Sequence, residues 1–164
     1  MKLASVLFVF AWLISVITWQ PSFSVQTEAL VAYPEGYRNW VHVKSTLISP
    51  GHKLFTTLGG FQHIYANPQA MVGYRTRSFP EGSVVVVDWL DMKDNNGSFE
   101  EGPRRQVDVM VKDSQRFATT GGWGFQRFVK DSKTDLATTP TPQQCFDCHE
   151  KLKKDGLILS SFRQ

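Results

Sequence analysis

A five-residue motif late in the chain restricts the possible folds more than any other feature. Residues 145–149 read Cys-Phe-Asp-Cys-His, the C-x-x-C-H pattern that attaches c-type haem. Two thiols three positions apart on a helical turn can each add to one porphyrin vinyl group, and the adjacent imidazole then lies under the iron. We predict one covalent haem c per chain. Cys145 and Cys148 are its predicted attachment sites, and His149 is its predicted iron ligand.

Three other interpretations of the motif are a structural disulfide, half of a zinc site and a redox dithiol. The chain has 2 cysteines in all, so no second cysteine pair exists to complete a zinc site. A thioredoxin-like pair follows a strand near the start of a β-α-β pattern. This motif instead follows a Thr/Pro-rich linker over residues 130–144. The adjacent histidine further favours haem.

The first 24 residues have the features of a secretory signal peptide. Lys2 precedes an apolar run over residues 3–19, which ends at Gln20-Pro21. The competing interpretation is an uncleaved membrane anchor, and the run is near the short limit for a membrane span. We predict cleavage, a periplasmic or otherwise exported protein, and one haem domain over residues 25–164. Haem attachment to C-x-x-C-H takes place outside the cytoplasm, so this leader agrees with the motif.

Composition restricts the partners. Of 164 residues, 41% are hydrophobic and 13% aromatic, enough for one core and a pocket for a flat ligand. The formal net charge is +3 without a basic stripe, so we expect no nucleic-acid partner. No feature identifies a particular redox partner.

The hydrophobic pattern predicts an α+β fold, a mostly antiparallel β-sheet with a few helices and a C-terminal haem-attachment helix. Predicted strands cover residues 37–48, 61–65, 83–90, 106–112 and 123–129. In the first strand, alternation puts four side chains on one face: Trp40, His42, Lys44 and Thr46. Asn67-Pro68 predicts the start of a helix to about residue 74, and a second helix is predicted over 143–152. Residues 94–102 are predicted to form a loop.

This pattern excludes two classes of cytochrome. Small electron-carrier cytochromes have C-x-x-C-H near the N-terminus and take a later methionine as iron ligand, whereas no methionine follows His149 here. Four-helix c-type cytochromes have a late motif but need long helices with 3.6-residue periodicity. The valine run at 84–87 and its neighbours have strand periodicity instead.

Five short segments together carry a resemblance to a known family: Tyr37-Arg-Asn-Trp40, Phe79-Pro-Glu-Gly82, Val111-Lys-Asp113, Gly122-Trp-Gly-Phe125 and Cys145-Phe-Asp-Cys-His149. From residue 37 onward the chain resembles cytochrome P-460 and its relative cytochrome c′-β. The resemblance implies a β-rich homodimer with a five-coordinate c-type haem, open on one side in an aromatic pocket. Members most like cytochrome P-460 oxidise hydroxylamine and bind nitric oxide.

The chain departs from cytochrome P-460 at one position. That protein carries a lysine cross-linked to the haem edge, near the end of the strand after the F-x-[DE]-G turn. Val87 is the aligned residue here, and the nearest lysines in sequence, Lys53 and Lys93, are not in the matching place. Cytochrome c′-β also lacks the lysine and is a gas-binding haem protein. The resemblance therefore favours gas binding over hydroxylamine oxidation.

Candidates for the ligand-binding side of the haem are Phe55, Phe61, Gln62, His63 and Arg127. Phe61 is either a pocket residue or plain core, and Arg127 either neutralises a haem propionate or is solvated. His63 is a weak catalytic candidate, as a base for substrate protons, or a sixth iron ligand, or a buried spectator. Three methionines are alternative sixth ligands or packing residues: Met71, Met92 and Met110.

These observations lead to three functional hypotheses. The first is an exported haem protein that binds a small gaseous or nitrogenous ligand, nitric oxide above all. The second is a hydroxylamine-oxidising enzyme, and the third is a six-coordinate electron-transfer cytochrome.

Overall fold

The computed structural model describes residues 31–163, and every structural statement below concerns that range. Five strands form one antiparallel sheet in sequence order, each paired with its neighbour in the chain. The strands are β1 (Val41–Ile48), β2 (Gly60–Ala66), β3 (Val84–Asn95), β4 (Ser98–Lys112) and β5 (Trp123–Val129). The helices are α1 (Phe55–Leu58), α2 (Pro68–Thr76) and α3 (Pro142–His149). Three 3-10 helices cover Tyr37–Asn39, Ala118–Thr120 and Glu150–Asp155. The predicted α+β class is confirmed.

The predicted loop over residues 94–102 is wrong. β3 and β4 continue through it and form a long hairpin, in which Asn95 pairs with Ser98. Its two-residue turn is Asn96-Gly97, with φ of 54° and 87°. Asn-Gly is the preferred sequence for such a turn because both central residues need positive φ. The surrounding acidic and amide residues hide the strand pattern, but the turn dipeptide was a readable signal.

The predicted alternation in β1 is also wrong, because a β-bulge interrupts it. The register shifts between His42 and Lys44, so that His42 lies opposite Tyr65 and Lys44 opposite Ile64. The extra residue, Val43, is buried in the core. A bulge adds one residue to a strand, so the alternation of side chains between the two faces of the sheet shifts by one position beyond it. His42 and Lys44 consequently lie on opposite faces of the sheet.

The sheet has two covered faces, each with its own hydrophobic cluster. The motif face is the one on which α3 packs, and its cluster includes Val85, Met110 and Phe125. Residues 157–158 complete this cluster, and Cys145 and Phe146 pack against it. The back face has a second cluster built on Val86, Val107 and Val109, covered by the segment 31–40. These clusters follow from the alternation within β3 and β4.

A buried carboxylate fastens the segment 31–40 to the back face. Asp88 is 0% exposed and accepts hydrogen bonds from Tyr37 Oη at 2.7 Å, Arg38 Nη2 at 2.7 Å and Arg104 Nε at 2.6 Å. Burial alone would raise the pKa of Asp88, but the bonds from Arg104, Tyr37 and Arg38 hold it below its ordinary value. A buried charge with this many partners is well compensated.

The two longer helices begin as their capping residues predict. Asn67 Oδ1 accepts a hydrogen bond from Ala70 N at 2.9 Å at the start of α2. The second predicted helix, 143–152, is shorter than expected: α3 ends at His149 and continues as a 3-10 helix with a kink at Leu152. Gly156 and Leu157 then turn the chain back to the sheet. Within residues 31–163, no helix has the length and apolar character needed to cross a membrane.

Candidate haem site

Helix α3 brings the two cysteines of the motif together. It starts with a capping box, in which Thr141 Oγ1 accepts from Gln144 N at 3.3 Å and the Gln144 side chain accepts from Thr141 N at 2.8 Å. Three positions apart on a helix, Cys145 and Cys148 lie on neighbouring turns of one side. Both thiols are free. Cys145 is partly buried against the motif-face core, and Cys148 is exposed.

The imidazole of His149 is held in one orientation. Its Nδ1 lies 2.7 Å from the carbonyl oxygen of Leu157, and because a carbonyl only accepts, Nδ1 carries the proton. The ring also lies 5.3 Å from that of Phe125, centroid to centroid. Nε2 forms no hydrogen bond within the described chain and keeps its lone pair. A histidine that binds metal through one nitrogen typically donates the other N–H in this way.

Burial favours the neutral form of His149 and the protonated form of the Cys145 thiol. Burial lowers the pKa of His149 below its ordinary value, while the Leu157 hydrogen bond and the Asp108 charge act against this shift. Burial raises the pKa of the Cys145 thiol to about 11; the Asp108 charge raises it further, and the Arg127 charge lowers it. A neutral imidazole is the form that binds iron.

These groups fit a haem better than a bare metal ion. Across residues 31–163, no group of three or more His, Cys, Asp or Glu side chains is arranged to hold a metal. His149 supplies a single nitrogen, which suffices only if the remaining ligands come with the iron, as they do in a porphyrin. The two free thiols beside it have the spacing that the c-type attachment signature requires.

An ion pair lies beside the motif on the same face of the sheet. Arg127 on β5 is opposite Asp108 on β4, and the two side chains form a bidentate pair with Nε–Oδ1 and Nη2–Oδ2 distances of 2.7 Å each. Gln106 Nε2 also donates to Asp108 Oδ2 at 3.2 Å. Arg127 is thus on the motif face with a partner. Sequence analysis missed Asp108, although its position opposite Arg127 on the polar side of β4 was a usable signal.

Two other predicted site residues lie away from the motif. Phe61 and His63 alternate with Gln62 and Ile64 along β2, and they point to the back face. His63 is occupied there: its Nδ1 is 2.6 Å from Ser45 Oγ, and its Nε2 is 2.8 Å from Glu101 Oε1 at an angle outside that of a hydrogen bond. The structure therefore does not bring Phe61 or His63 together with His149.

Val87, the residue aligned with the cross-linking lysine, lies on the motif face. Val87 is half-buried there, between Ile64 on β2 and Asp108 on β4. Lys44 is opposite Ile64, in the same row across the sheet. Sequence analysis missed Lys44 because the bulge at Val43 was not predicted.

The other two candidates from the sequence lie at the start of β2 and just before it. Phe55 is in α1, and Gln62 Nε2 donates to the Leu58 carbonyl at 3.1 Å.

The chain matches the family model of cytochrome P460 over residues 34–160. That range includes all five strands, α3 and Leu157. The chain belongs to the cytochrome P460 family. This membership confirms the resemblance noted from the sequence and establishes a haem protein with an iron centre. No curated protein matches the chain.

Because the chain belongs to a family of haem proteins, the geometry around His149 can be compared with what a haem requires. The free Nε2 of His149 is the nitrogen suited to the haem iron, and the neighbouring thiols are suited to the porphyrin edge. The predicted signal peptide over residues 1–24 lies outside the described residues and remains a prediction. The roles of Arg127, Phe61 and His63 toward the haem likewise remain predictions.

Proposed function

We propose that this chain is an exported c-type cytochrome with one covalent haem, whose iron binds nitric oxide or a related small nitrogen ligand. Cys145 and Cys148 form the two thioether bonds, and His149 Nε2 is the protein ligand of the iron. A haem with a single protein ligand supplies an open iron position for diatomic gases. The Leu157 carbonyl fixes the proton of His149 on Nδ1 and so keeps Nε2 available.

The main support for an open iron position is the distribution of histidines. Apart from His149, no histidine in the described part of the chain lies on the motif face. His42 and His63 are on the back face, and His52 lies in the exposed turn after β1. An imidazole could therefore become the sixth ligand of the iron only by coming from outside the motif face.

The methionines give the same support. Met71 and Met110 are buried in the motif-face cluster, which is the usual packing role of this residue. Met92 is far along the β3–β4 hairpin, opposite Glu101. We infer an uncharged ligand, because Ile64 and Val87, the half-buried side chains that continue the row of Asp108 and Arg127 across the sheet, are apolar.

The proposal is tested by absorption spectra of the exported protein, oxidised and dithionite-reduced, with and without carbon monoxide or nitric oxide. We expect a high-spin ferrous spectrum that shifts when either gas is added. A sharp low-spin spectrum that neither gas alters would instead establish a sixth protein ligand and an electron-transfer cytochrome. Retention of haem after denaturation, and its loss when both cysteines are replaced by serine, tests the covalent attachment separately.

Hydroxylamine oxidation is the second candidate, and Lys44 is the observation that favours it. This lysine is exposed on the motif face, in the row of Val87, and forms no ion pair with any other residue of the range 31–163. Two strand spacings, about 10 Å, separate Lys44 from Val87. Mass spectrometry of the tryptic haem peptide decides the matter: a haem peptide joined to the Lys44 peptide supports this candidate, and an unmodified Lys44 removes it.

We also propose a homodimer, on the basis of the family resemblance. β1 is at the edge of the sheet, and its Val41 is 42% exposed. Light scattering coupled to gel filtration measures the oligomeric state directly. A mass of one chain at micromolar concentration would exclude the dimer.

A further inference from the structure

Two imidazoles on the back face point to the same oxygen atom. His42 Nε2 lies 2.9 Å from Ser45 Oγ, and His63 Nδ1 lies 2.6 Å from the same Oγ. The bulge at Val43 creates this arrangement, because it turns His42 to the face that carries Ser45 and His63. The two rings are 6.2 Å apart, centroid to centroid.

The far side of His63 faces a carboxylate. His63 Nε2 is 2.8 Å from Glu101 Oε1 at an angle outside that of a hydrogen bond, and the negative charge beside Nε2 favours the tautomer with its proton on Nε2 and a lone pair on Nδ1. A carboxylate that accepts the other N–H is the usual outer partner of a metal-binding histidine, and it raises the basicity of the opposite nitrogen. Rotation of the half-exposed Glu101 side chain would complete that hydrogen bond. Glu101 is 50% exposed and His63 only 13%, so the imidazole is the fixed member of the pair.

Ser45 separates the two imidazole nitrogens, and it can move. Its hydroxyl has one proton, which it gives to His63 Nδ1 while it accepts from His42 Nε2–H. Rotation of Ser45 to another staggered conformer vacates the space between the nitrogens. His42 then needs only to move its proton from Nε2 to Nδ1, a change of tautomer without a change of charge.

We propose that His42 Nε2 and His63 Nδ1 form a binding site for a divalent transition-metal ion of the class that prefers imidazole, Cu²⁺ or Zn²⁺. The nitrogens are no farther apart than the sum of their distances to Ser45 Oγ. Two zinc–nitrogen bonds of about 2.0–2.1 Å span less than this limit, so the exposed His42 ring turns toward His63 when the ion binds. Water fills the remaining positions, because His42 and Ser45 are both exposed.

The site is separate from the haem. It lies on the back face, with its ligands on β1 and β2, whereas Cys145, Cys148 and His149 are on α3 over the motif face. Two imidazoles give fewer protein ligands than a closed structural zinc site has. The bound metal is consequently exchangeable, and Cu²⁺ binds more tightly than Zn²⁺ by the general order of divalent affinities.

The test is calorimetric titration of zinc chloride into the ferric, haem-loaded, exported protein near neutral pH. We expect one ion per chain. His42→Ala and His63→Ala should each abolish the binding, and Glu101→Gln should weaken it by roughly 10–100-fold, as loss of an outer carboxylate does. The haem absorption spectrum and circular dichroism verify that each variant is folded. His42 is exposed, so its variant keeps the test valid even if His63→Ala unfolds.

The matched control is His52→Ala, which removes an exposed histidine from the turn after β1 and should leave zinc binding unchanged. Absence of binding to the wild-type protein would overturn the proposal. So would binding that His42→Ala leaves intact, because the ion would then be elsewhere. One ion per two chains would assign the histidines to a bridge between molecules and would also overturn a site within one chain.

Discussion

His149 depends on one carbonyl group, and that carbonyl depends on two residues with left-handed backbone. Gly156 has φ 69° and Leu157 has φ 68°, and together they reverse the chain so that the Leu157 carbonyl meets Nδ1 at 2.7 Å. Glycine adopts positive φ without cost, whereas other residues lose about 1–2 kcal/mol there. The buried side chain of Leu157, 6% exposed, offsets the cost at that position. The orientation of His149, the proposed iron ligand, is thus set by backbone conformation.

We expect Gly156→Ala to disturb the iron ligand. Alanine at φ 69° is strained by about 1–2 kcal/mol, and its Cβ would lie 2.7 Å from Phe79 Cδ2. The turn must shift, which weakens the Leu157–His149 hydrogen bond and changes the iron–histidine stretching band in the Raman spectrum of the ferrous protein. Gly51→Ala is the control, because Gly51 has φ 93° but no atom within 4 Å of the new Cβ. A normal band in Gly156→Ala would contradict this account.

The pair of Asp108 and Arg127 gives a second prediction at this scale, with opposite signs for its two members. Arg127→Met leaves an uncompensated negative charge near the haem, which favours ferric iron and lowers the midpoint potential. Asp108→Asn leaves an uncompensated positive charge and raises it. The double variant should return close to the wild-type value, because the pair is nearly neutral as a unit. Spectroelectrochemical titration measures all four proteins, and shifts of the same sign would refute the prediction.

At the scale of elements, the segment 31–40 is joined to the sheet through Asp88. We expect Asp88→Asn to destabilise the protein by about 3–5 kcal/mol, since it leaves Arg38 and Arg104 without their buried counter-charge. Asp131→Asn, which removes a mostly exposed partner of Arg104, should cost no more than about 1 kcal/mol. Urea unfolding of the holoprotein at neutral pH gives both values. Equal effects would mean that Asp88 is not the anchor.

The same network predicts a pH dependence. The folded protein holds the pKa of Asp88 below its ordinary value, so the carboxylate contributes its full stability above the unfolded pKa of about 3.9. That contribution is lost as pH falls through the lower folded pKa. The difference in unfolding free energy between wild type and Asp88→Asn should therefore be constant above about pH 5 and shrink below pH 4.

The sequence predicted those elements whose signals are local. Asn67 and Pro68 specify the start of α2, and the C-x-x-C-H motif predicted the C-terminal helix α3. The bulge at Val43 was not predictable, because a β-branched residue suits a regular strand equally well. Two partners of Asp88, Tyr37 and Arg38, are 51 and 50 positions earlier in the chain, and no local pattern reveals such a pairing. Because of the bulge, the face on which His42 lies was not predictable either.

At the scale of the whole molecule, the haem-binding segment and the sheet have unequal support. The five strands pair with one another along their lengths, and both hydrophobic clusters are centred on them. Helix α3 has no fully buried residue, and it contacts the sheet through the partly buried Cys145 and Phe146. We therefore expect the sheet to be stable by its own packing and the proposed haem attachment to supply part of the stability of α3.

We expect a protein without haem to lose its C-terminal order but keep its sheet. In the Cys145→Ala/Cys148→Ala variant, expressed without haem, amide hydrogen exchange should become fast over residues 142–163 and stay slow in β3, β4 and β5. The wild-type holoprotein should protect both regions. Loss of protection throughout the sheet of the variant would show that the haem is required for the whole fold.

The meander order of the strands affects the order in which the sheet folds and the haem is attached. Each strand pairs with the one made just before it, and Cys145 is made after the last of them, so the growing polypeptide can complete its sheet before the thiols exist. We therefore expect covalent attachment of the haem at these thiols to be a late event on a prefolded surface. A chain interrupted before that event is a folded β-protein with a loose end rather than an aggregating intermediate.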